Sequence, residues 1–174
     1  MTSLSRPLRT SWLIVGTAAP YNTQPTATLH AEHPGEDYRT ALGRVARELA
    51  DHGARHLLVV PADLPTLSAG DLQALLADHK SGVTICPAAE DGGTNALLLS
   101  PPTAIPFLYG PDSAARHRAA AEAAGLPVRV MNIPGFARDV DSPEDLRWLA
   151  GQKIACATRA WLVASGILER LKAR

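Results

Sequence analysis

An aspartate stands between two prolines at the end of an apolar run, in the segment Val59–Pro65 (VVPADLP). A carboxylate in this position has two ordinary uses. Asp63 can accept hydrogen bonds from the backbone of its own turn, as aspartates before turns often do. It can also bind a hard cation such as Mg²⁺, which prefers oxygen ligands. Taken alone, the segment favours neither use over the other.

A second acidic segment, Arg138–Pro143 (RDVDSP), has a similar setting. Asp139 and Asp141 follow a strand-like run and precede a helix start, where Asp141 has the alternative role of helping Ser142 to cap the helix. Mg²⁺ takes one or two carboxylates and leaves its other positions to water and phosphate oxygens. Two loops that bring carboxylates to one edge of a sheet therefore suit a Mg²⁺ site, with Asp63 as the third acid.

A glycine-rich segment, Glu90–Leu97 (EDGGTNAL), is a candidate binding loop. Gly93 permits close approach of the backbone to a ligand, and Thr94 and Asn95 can donate hydrogen bonds to phosphate or carboxylate oxygens. The alternative is a tight hairpin in which these polar side chains satisfy nearby backbone amides. The segment by itself favours the hairpin.

A third candidate is Tyr109–His117 (YGPDSAARH), in which a turn with Gly110 leads into a helix. The start of a helix is a ready anion site, because its free N–H groups and its dipole both favour negative charge. Ser113 adds a hydroxyl group, and His117 lies about one turn further on. In the alternative interpretation, Asp112 caps the helix. The remaining histidines have no shared spacing typical of a metal-binding set.

The elements that must position these residues alternate along the chain. Six short apolar runs are typical of strands: Trp12–Val15, Ala27–His30, His56–Val60, Val83–Cys86, Ala96–Leu99 and Val128–Ile133. Helical patterns lie over Tyr38–Leu49, after Ser68, over Asp112–Ala124 and after Ser142. The tail Thr158–Arg174 is predicted to be a docked, broken helix, and Thr17–Pro25 is predicted to be a loop. Alternation of strands and helices predicts a single α/β domain over residues 1–174, with a mostly parallel sheet and ligands at the carboxyl ends of its strands.

Composition narrows the class of protein. The chain has 174 residues, with 17 basic and 17 acidic side chains. This balance argues against a surface for nucleic acid or membrane, because no net field attracts polyanions. Two cysteines form neither a metal motif nor a disulfide framework, and the first residues lack the pattern of a signal peptide. We therefore expect a cytoplasmic protein with reduced thiols.

Four segments in order, PADLP, DGGTNALLLSPP, YGPDSAARH and DVDSPEDL, resemble one family. This family is that of the 2-phospho-L-lactate guanylyltransferases of coenzyme F-420 biosynthesis. Its members are nucleotidyltransferases with a three-layer, Rossmann-like fold similar to that of sugar-nucleotide transferases. The resemblance runs from about residue 35 to residue 174. It implies transfer of GMP from GTP to 2-phospholactate, phosphoenolpyruvate or 3-phosphoglycerate, with Mg²⁺ as cofactor and release of pyrophosphate.

The resemblance also implies roles for the candidate residues. The three aspartates, Asp63, Asp139 and Asp141, would be the catalytic, metal-binding residues. The residues expected to hold the carboxylate and phosphate of the acceptor are Gly93, Thr94, Asn95, Gly110, Ser113 and His117. No general base is required, because the phosphate oxygen that attacks is already ionised near neutral pH. The lack of a Ser/His/Asp or Cys/His constellation agrees with this chemistry.

Residues 1–34 depart from the family pattern. Family members carry lysine and arginine in the loop after their first strand, whereas Gly16–Thr26 (GTAAPYNTQPT) has no basic residue. Gly35–Tyr38 (GEDY) also replaces the family's glycine-leucine-asparagine signature. We therefore expect the N-terminal part to be shortened relative to the family. The alternatives are that another chain, such as a second copy in a homo-oligomer, supplies basic residues, or that this is a divergent binding protein without nucleotide transfer.

Overall fold

The computed structural model describes residues 12–17, 26–77 and 79–167. The loop predicted after Thr17 and the end of the predicted C-terminal helix beyond Ile167 lie outside these residues. Two strands, β1 (Trp12–Thr17) and β2 (Thr26–Ala31), form an antiparallel pair. Four more form a second sheet: β3 (Leu57–Val59), β4 (Gly82–Pro87), β5 (Thr94–Ser100) and β6 (Val128–Val130). All six predicted strands are confirmed, with ends that differ by a few residues.

The order of the larger sheet is β3-β5-β4-β6. β5 is antiparallel to both β3 and β4, while β4 is parallel to β6. Strands β3, β4 and β6 therefore run in one direction, but two of the three hydrogen-bonded pairs are antiparallel, so the described sheet is mixed where the sequence predicted a mostly parallel one. The reason is the β4–β5 hairpin, closed by a 3.0 Å bond from Ala88 N–H to the Gly93 carbonyl, which places β5 between β3 and β4.

Five helices and one 3-10 turn complete the described chain. They are α1 (Tyr38–Asp51), α2 (Ala69–Leu76), α3 (Ser113–Ala123), the turn Pro134–Phe136, α4 (Pro143–Gly151) and α5 (Ala157–Ala164). The helix starts predicted after Ser68 and after Ser142 are both confirmed, and each serine forms a capping box with the aspartate three residues later. The 3-10 turn is a feature that the sequence patterns did not predict.

Two apolar clusters lie on opposite faces of the larger sheet. On one face, α1 and α3 pack through Leu42 and Ala121 against strand residues that include Leu97. On the other, α2 and the 3-10 turn pack through Leu75 and Phe136 against strand residues that include Leu98. Because neighbouring strand residues point to opposite faces, this alternation builds the predicted three-layer α/β/α arrangement. Within the described ranges, no helix has the length and hydrophobicity needed to cross a membrane.

Candidate active site

The two acidic loops meet at the carboxyl end of β3. The N–H of Val140, between Asp139 and Asp141, donates a 3.1 Å hydrogen bond to the backbone carbonyl of Asp63. Burial raises the pKa of Asp63 above its ordinary value, and the negative charges of Asp141 and Asp139 raise it further. The structure therefore places the two predicted acidic loops against each other, with Asp139 and Asp141 near enough for their charges to act on Asp63.

The carboxylate oxygens of Asp63, Asp139 and Asp141 are the type of ligand that Mg²⁺ prefers, although the three acids do not surround one point. Across the described residues, no group of three or more His, Cys, Asp or Glu side chains converges closely enough to hold a metal ion. Mg²⁺ does not require such a cage, because it commonly uses one or two carboxylates and completes its shell with water and substrate phosphates. A cation bound in this way would offset the negative charges of neighbouring carboxylates. Their role as Mg²⁺ ligands stays a prediction.

Asp145, in the first turn of α4, holds the second acidic loop in place. Its Oδ2 accepts hydrogen bonds from Asp141 N–H (3.2 Å), Ser142 N–H (2.9 Å) and Ser142 Oγ–H (2.6 Å). Its Oδ1 accepts from two nitrogens of Arg138, at 3.0 and 2.7 Å. The Ser142 hydroxyl and then Arg138 hold the pKa of Asp145 far below its usual range. Asp145 is therefore the acid of the capping box, and Asp141 contributes only its backbone N–H.

Arg138 connects the acidic loop to the hairpin tip. Its Nη1 lies 2.8 Å from a carboxylate oxygen of Glu90, and its guanidinium lies 4.7 Å from the ring centroid of Trp148. The sequence patterns did not single out four residues with positioning roles: Glu90, Arg138, Asp145 and Trp148. The Ser-x-x-Asp spacing is a local signal for Asp145, whereas the partners of Arg138 are brought to it by the tertiary fold.

Thr94, Ser113 and His117 form a buried hydrogen-bonded cluster between β5 and α3. Thr94 Oγ1 lies 2.9 Å from Ser113 Oγ and 3.1 Å from His117 Nδ1. The Leu108 N–H donates a 2.8 Å bond to His117 Nε2. Since a backbone N–H can only donate, Nε2 is the acceptor, and the proton of the neutral imidazole lies on Nδ1 and is donated to Thr94. This cluster joins β5 to α3.

The other predicted acceptor-binding residues also have bonds within the protein. Asn95 Nδ2 donates to the Phe136 carbonyl at 2.9 Å, which fixes the 3-10 turn that precedes the acidic loop. Gly93 N–H donates to Asp91 Oδ1 at 2.8 Å. At the start of α3, the Ser113 N–H donates to the carbonyl of Gly110 at 3.1 Å. Contact of these residues with an acceptor stays a prediction, and the described bonds give them a positioning role.

The pH dependence of stability tests the buried His117. Burial lowers the pKa of His117 from its ordinary 6.5 to about 4, and the charge of Arg116 adds to this. A histidine whose pKa is lower in the folded than in the unfolded protein contributes its full stability only above the unfolded pKa. That contribution is lost as the pH falls towards the folded pKa. Between pH 6.5 and 4 we expect a loss on the order of 3 kcal/mol in the free energy of unfolding.

Urea unfolding of the wild type and of His117→Gln at pH 7.5 and pH 4.5 measures this contribution. Glutamine retains an amide donor and acceptor but cannot titrate, so the variant should lose less stability between the two pH values than the wild type. An equal loss in both proteins would contradict the assignment of a neutral His117.

The acids of the GEDY segment have structural roles in the described residues. Asp37 is the N-cap of α1, and its Oδ1 accepts a 2.8 Å bond from Thr40 N–H. Glu36 forms an ion pair with Arg44 at 3.1 Å and accepts from His33 N–H at 2.9 Å. The two acids that replace the family signature therefore stabilise the start of α1.

Comparisons with known proteins show which family and fold the chain has. The family model described as "Guanylyl transferase CofC like" matches residues 18–163. The chain belongs to this family. A crystal structure from Desulfovibrio desulfuricans G20, assigned by name to the nucleotide-diphospho-sugar transferases, superposes with a TM-score of 0.62 at 20% identity, over 79% of this chain and 62% of that one. The structural neighbour confirms the predicted fold.

Curated relatives of the family carry guanylyltransferase names. The phosphoenolpyruvate guanylyltransferase of Roseiflexus sp. (strain RS-1) is 46% identical over 132 residues, which are 75% of this chain and 57% of that protein. The one from Sphaerobacter thermophilus is 42% identical, over 68% of this chain and 58% of its own length. The 3-phospho-D-glycerate guanylyltransferase of Colwellia psychrerythraea is 40% identical, over 64% and 54%. The chain thus spans just over half the length of these relatives.

Proposed function

We propose that this protein transfers GMP from GTP to a small phosphorylated carboxylic acid and releases pyrophosphate. The observation that carries the proposal is the backbone bond from Val140 to Asp63, which joins two acidic loops in a chain of the guanylyltransferase family. Phosphoenolpyruvate is the first acceptor to test, because two of the three relatives described above are named for it. 3-Phosphoglycerate and 2-phospholactate are the next.

The chemistry requires positioning more than proton transfer. An oxygen of the acceptor phosphate attacks the α-phosphorus of GTP, and the bond from that phosphorus to the pyrophosphate oxygen breaks. The attacking phosphate has its second pKa near 6, so it is largely ionised at neutral pH without a general base. A Mg²⁺ ion held by one or two of Asp63, Asp139 and Asp141 would supply charge neutralisation for the phosphate oxygens. Asp145 and Arg138 hold the loop that carries Asp139 and Asp141.

A second candidate function is binding without turnover. The segment Gly16–Thr26 lacks the basic residues that family members use for nucleotide phosphates, and this favours a protein that keeps the phospho-acid and metal site only. This alternative predicts acceptor binding without pyrophosphate release. The proposal of GMP transfer also includes GTP binding, a place in F-420 biosynthesis and a cytoplasmic location. These three properties are supported by the family resemblance.

A pyrophosphate-release assay tests the proposal. The full chain is incubated with GTP, Mg²⁺ and each acceptor in turn, with ATP in place of GTP and with a chelator in place of Mg²⁺ as controls. We expect release with GTP, above all with phosphoenolpyruvate, and its loss with the chelator. A folded sample, as judged by circular dichroism, that releases no pyrophosphate with any acceptor would contradict GMP transfer.

A further inference from the structure

The hydroxyl of Tyr109 is buried without a hydrogen-bond partner. Among the described residues, two buried side-chain polar atoms lack a partner, Tyr109 Oη and Arg159 Nε. An unsatisfied buried polar group costs about 1 to 3 kcal/mol, so native proteins retain few of them. Tyr109 immediately precedes Gly110, in a segment that the sequence analysis selected as a binding loop. The unsatisfied hydroxyl is therefore a candidate ligand-binding group.

Aromatic contacts fix the ring of Tyr109. Its centroid lies 5.1 Å from the ring of His117 and 5.5 Å from that of Tyr38, both edge-on, and 6.5 Å from Phe107, with which it stacks. His117 in turn binds Thr94 in the buried cluster between β5 and α3. Tyr109 thus packs directly against the cluster that joins β5 to α3, and its ring has little freedom to seek another partner.

Tyr38 connects Tyr109 with the acidic loops. It is the first residue of α1 and remains 39% exposed. Burial raises the pKa of its hydroxyl, and the charges of Asp63 and Glu32 raise it further. The rings of Tyr38 and Tyr109 meet edge-on at 5.5 Å. Tyr38 is therefore a direct neighbour of Tyr109, and its own hydroxyl lies within the influence of the Asp63 charge.

We propose that the Tyr109 hydroxyl donates a hydrogen bond to an anionic oxygen of the phospho-acid acceptor, which reaches it by displacing the exposed side chain of Tyr38. This inference rests on the proposed function and adds a specificity-determining residue to its acceptor site. A tyrosine hydroxyl stays protonated at neutral pH, so it is a donor that an anionic oxygen can use.

The substitution Tyr109→Phe separates this role from a structural one. Phenylalanine keeps every ring contact and removes only the unsatisfied oxygen. We expect the melting temperature to stay the same or rise, because no internal hydrogen bond is lost. We expect binding of phosphoenolpyruvate in the presence of Mg²⁺, measured by calorimetry without nucleotide, to weaken roughly tenfold to a hundredfold. In an active enzyme, KM for the acceptor should rise more than kcat falls.

The matched comparison is Tyr38→Phe, which removes a hydroxyl from a ring that is already 39% exposed. Its melting temperature should not rise, since no unsatisfied buried atom is removed. The wild type could bind the acceptor and yet release no pyrophosphate. If Tyr109→Phe then weakened acceptor binding, the inference would be supported although the proposed GMP transfer had failed. Unchanged acceptor binding, a clear fall in melting temperature, or a wild type that binds none of the three acceptors would overturn the inference.

Discussion

Replacing Asp63 with asparagine is expected to abolish GMP transfer without weakening the fold. Asparagine keeps the size of the side chain and its ability to bond within the turn, but it removes the negative charge proposed to hold Mg²⁺. Loss of charge neutralisation at the transferred phosphate should lower kcat by roughly a hundredfold or more. The pKa of Asp63 is raised by burial and by Asp141 and Asp139, so its ionised form is disfavoured in the folded state. The melting temperature should therefore stay the same or rise.

A control for this prediction is Asp51→Asn, the same chemical change at an exposed residue at the end of α1. That variant should retain wild-type transfer. Pyrophosphate release by Asp63→Asn within about threefold of the wild type would remove Asp63 from the catalytic residues. A measurable wild-type activity that the substitution abolishes would exclude the alternative of a binding protein without turnover.

Replacing Asp145 with alanine is expected to have the largest effect on stability. Asp145 is 8% exposed and accepts bonds from Arg138, Asp141 and Ser142. Removing it breaks a partly buried ion pair and a helix cap together, so the free energy of unfolding should fall by about 2 to 3 kcal/mol. In a chain of 174 residues, this corresponds to a fall in melting temperature on the order of 10 °C. Urea and thermal unfolding at pH 7 measure both quantities.

The neighbouring acid supplies the matched control for Asp145. Glu144 is in the same turn, and its ion pair with Arg147 lies at the surface, where the carboxylate side chain is 70% exposed. Glu144→Ala should change stability by less than about 0.5 kcal/mol, since exposed pairs contribute little. At a temperature at which both variants are folded, only Asp145→Ala should reduce transfer, because it releases the loop that carries Asp139 and Asp141. Equal effects of the two substitutions would contradict the positioning role of Asp145.

The pH profile of stability offers a second check on Asp145. Its folded pKa is depressed by the Ser142 hydroxyl and by Arg138. A carboxylate of this kind contributes stability fully above its unfolded pKa, near 3.9, and loses it as pH falls towards the folded value. The gap between the wild type and Asp145→Ala should therefore stay constant from pH 7 to about pH 5 and narrow below pH 4.

The sequence predicted the elements and the site candidates of this protein, because both depend on patterns a few residues long. Apolar runs predicted all six strands, and an N-cap serine before a helical pattern predicted the helix starts after Ser68 and Ser142. An aspartate after an apolar run, repeated in a second loop, was enough to select Asp63 and Asp139 as site candidates. These signals are local, since strand periodicity and capping each involve residues at most four apart.

The tertiary structure decided which of these residues meet and which only support them. The insertion of β5 between β3 and β4 and the bond from Val140 to Asp63 join segments far apart in the chain, and no short pattern encodes such contacts. The same holds for Arg138, whose partners Glu90 and Trp148 are brought to it by the fold. Even the acid that caps α4 required the structure, because Asp141 and Asp145 both lie within reach of Ser142. Only the geometry shows that Asp145 caps the helix, while Asp141 and Asp139 raise the pKa of Asp63.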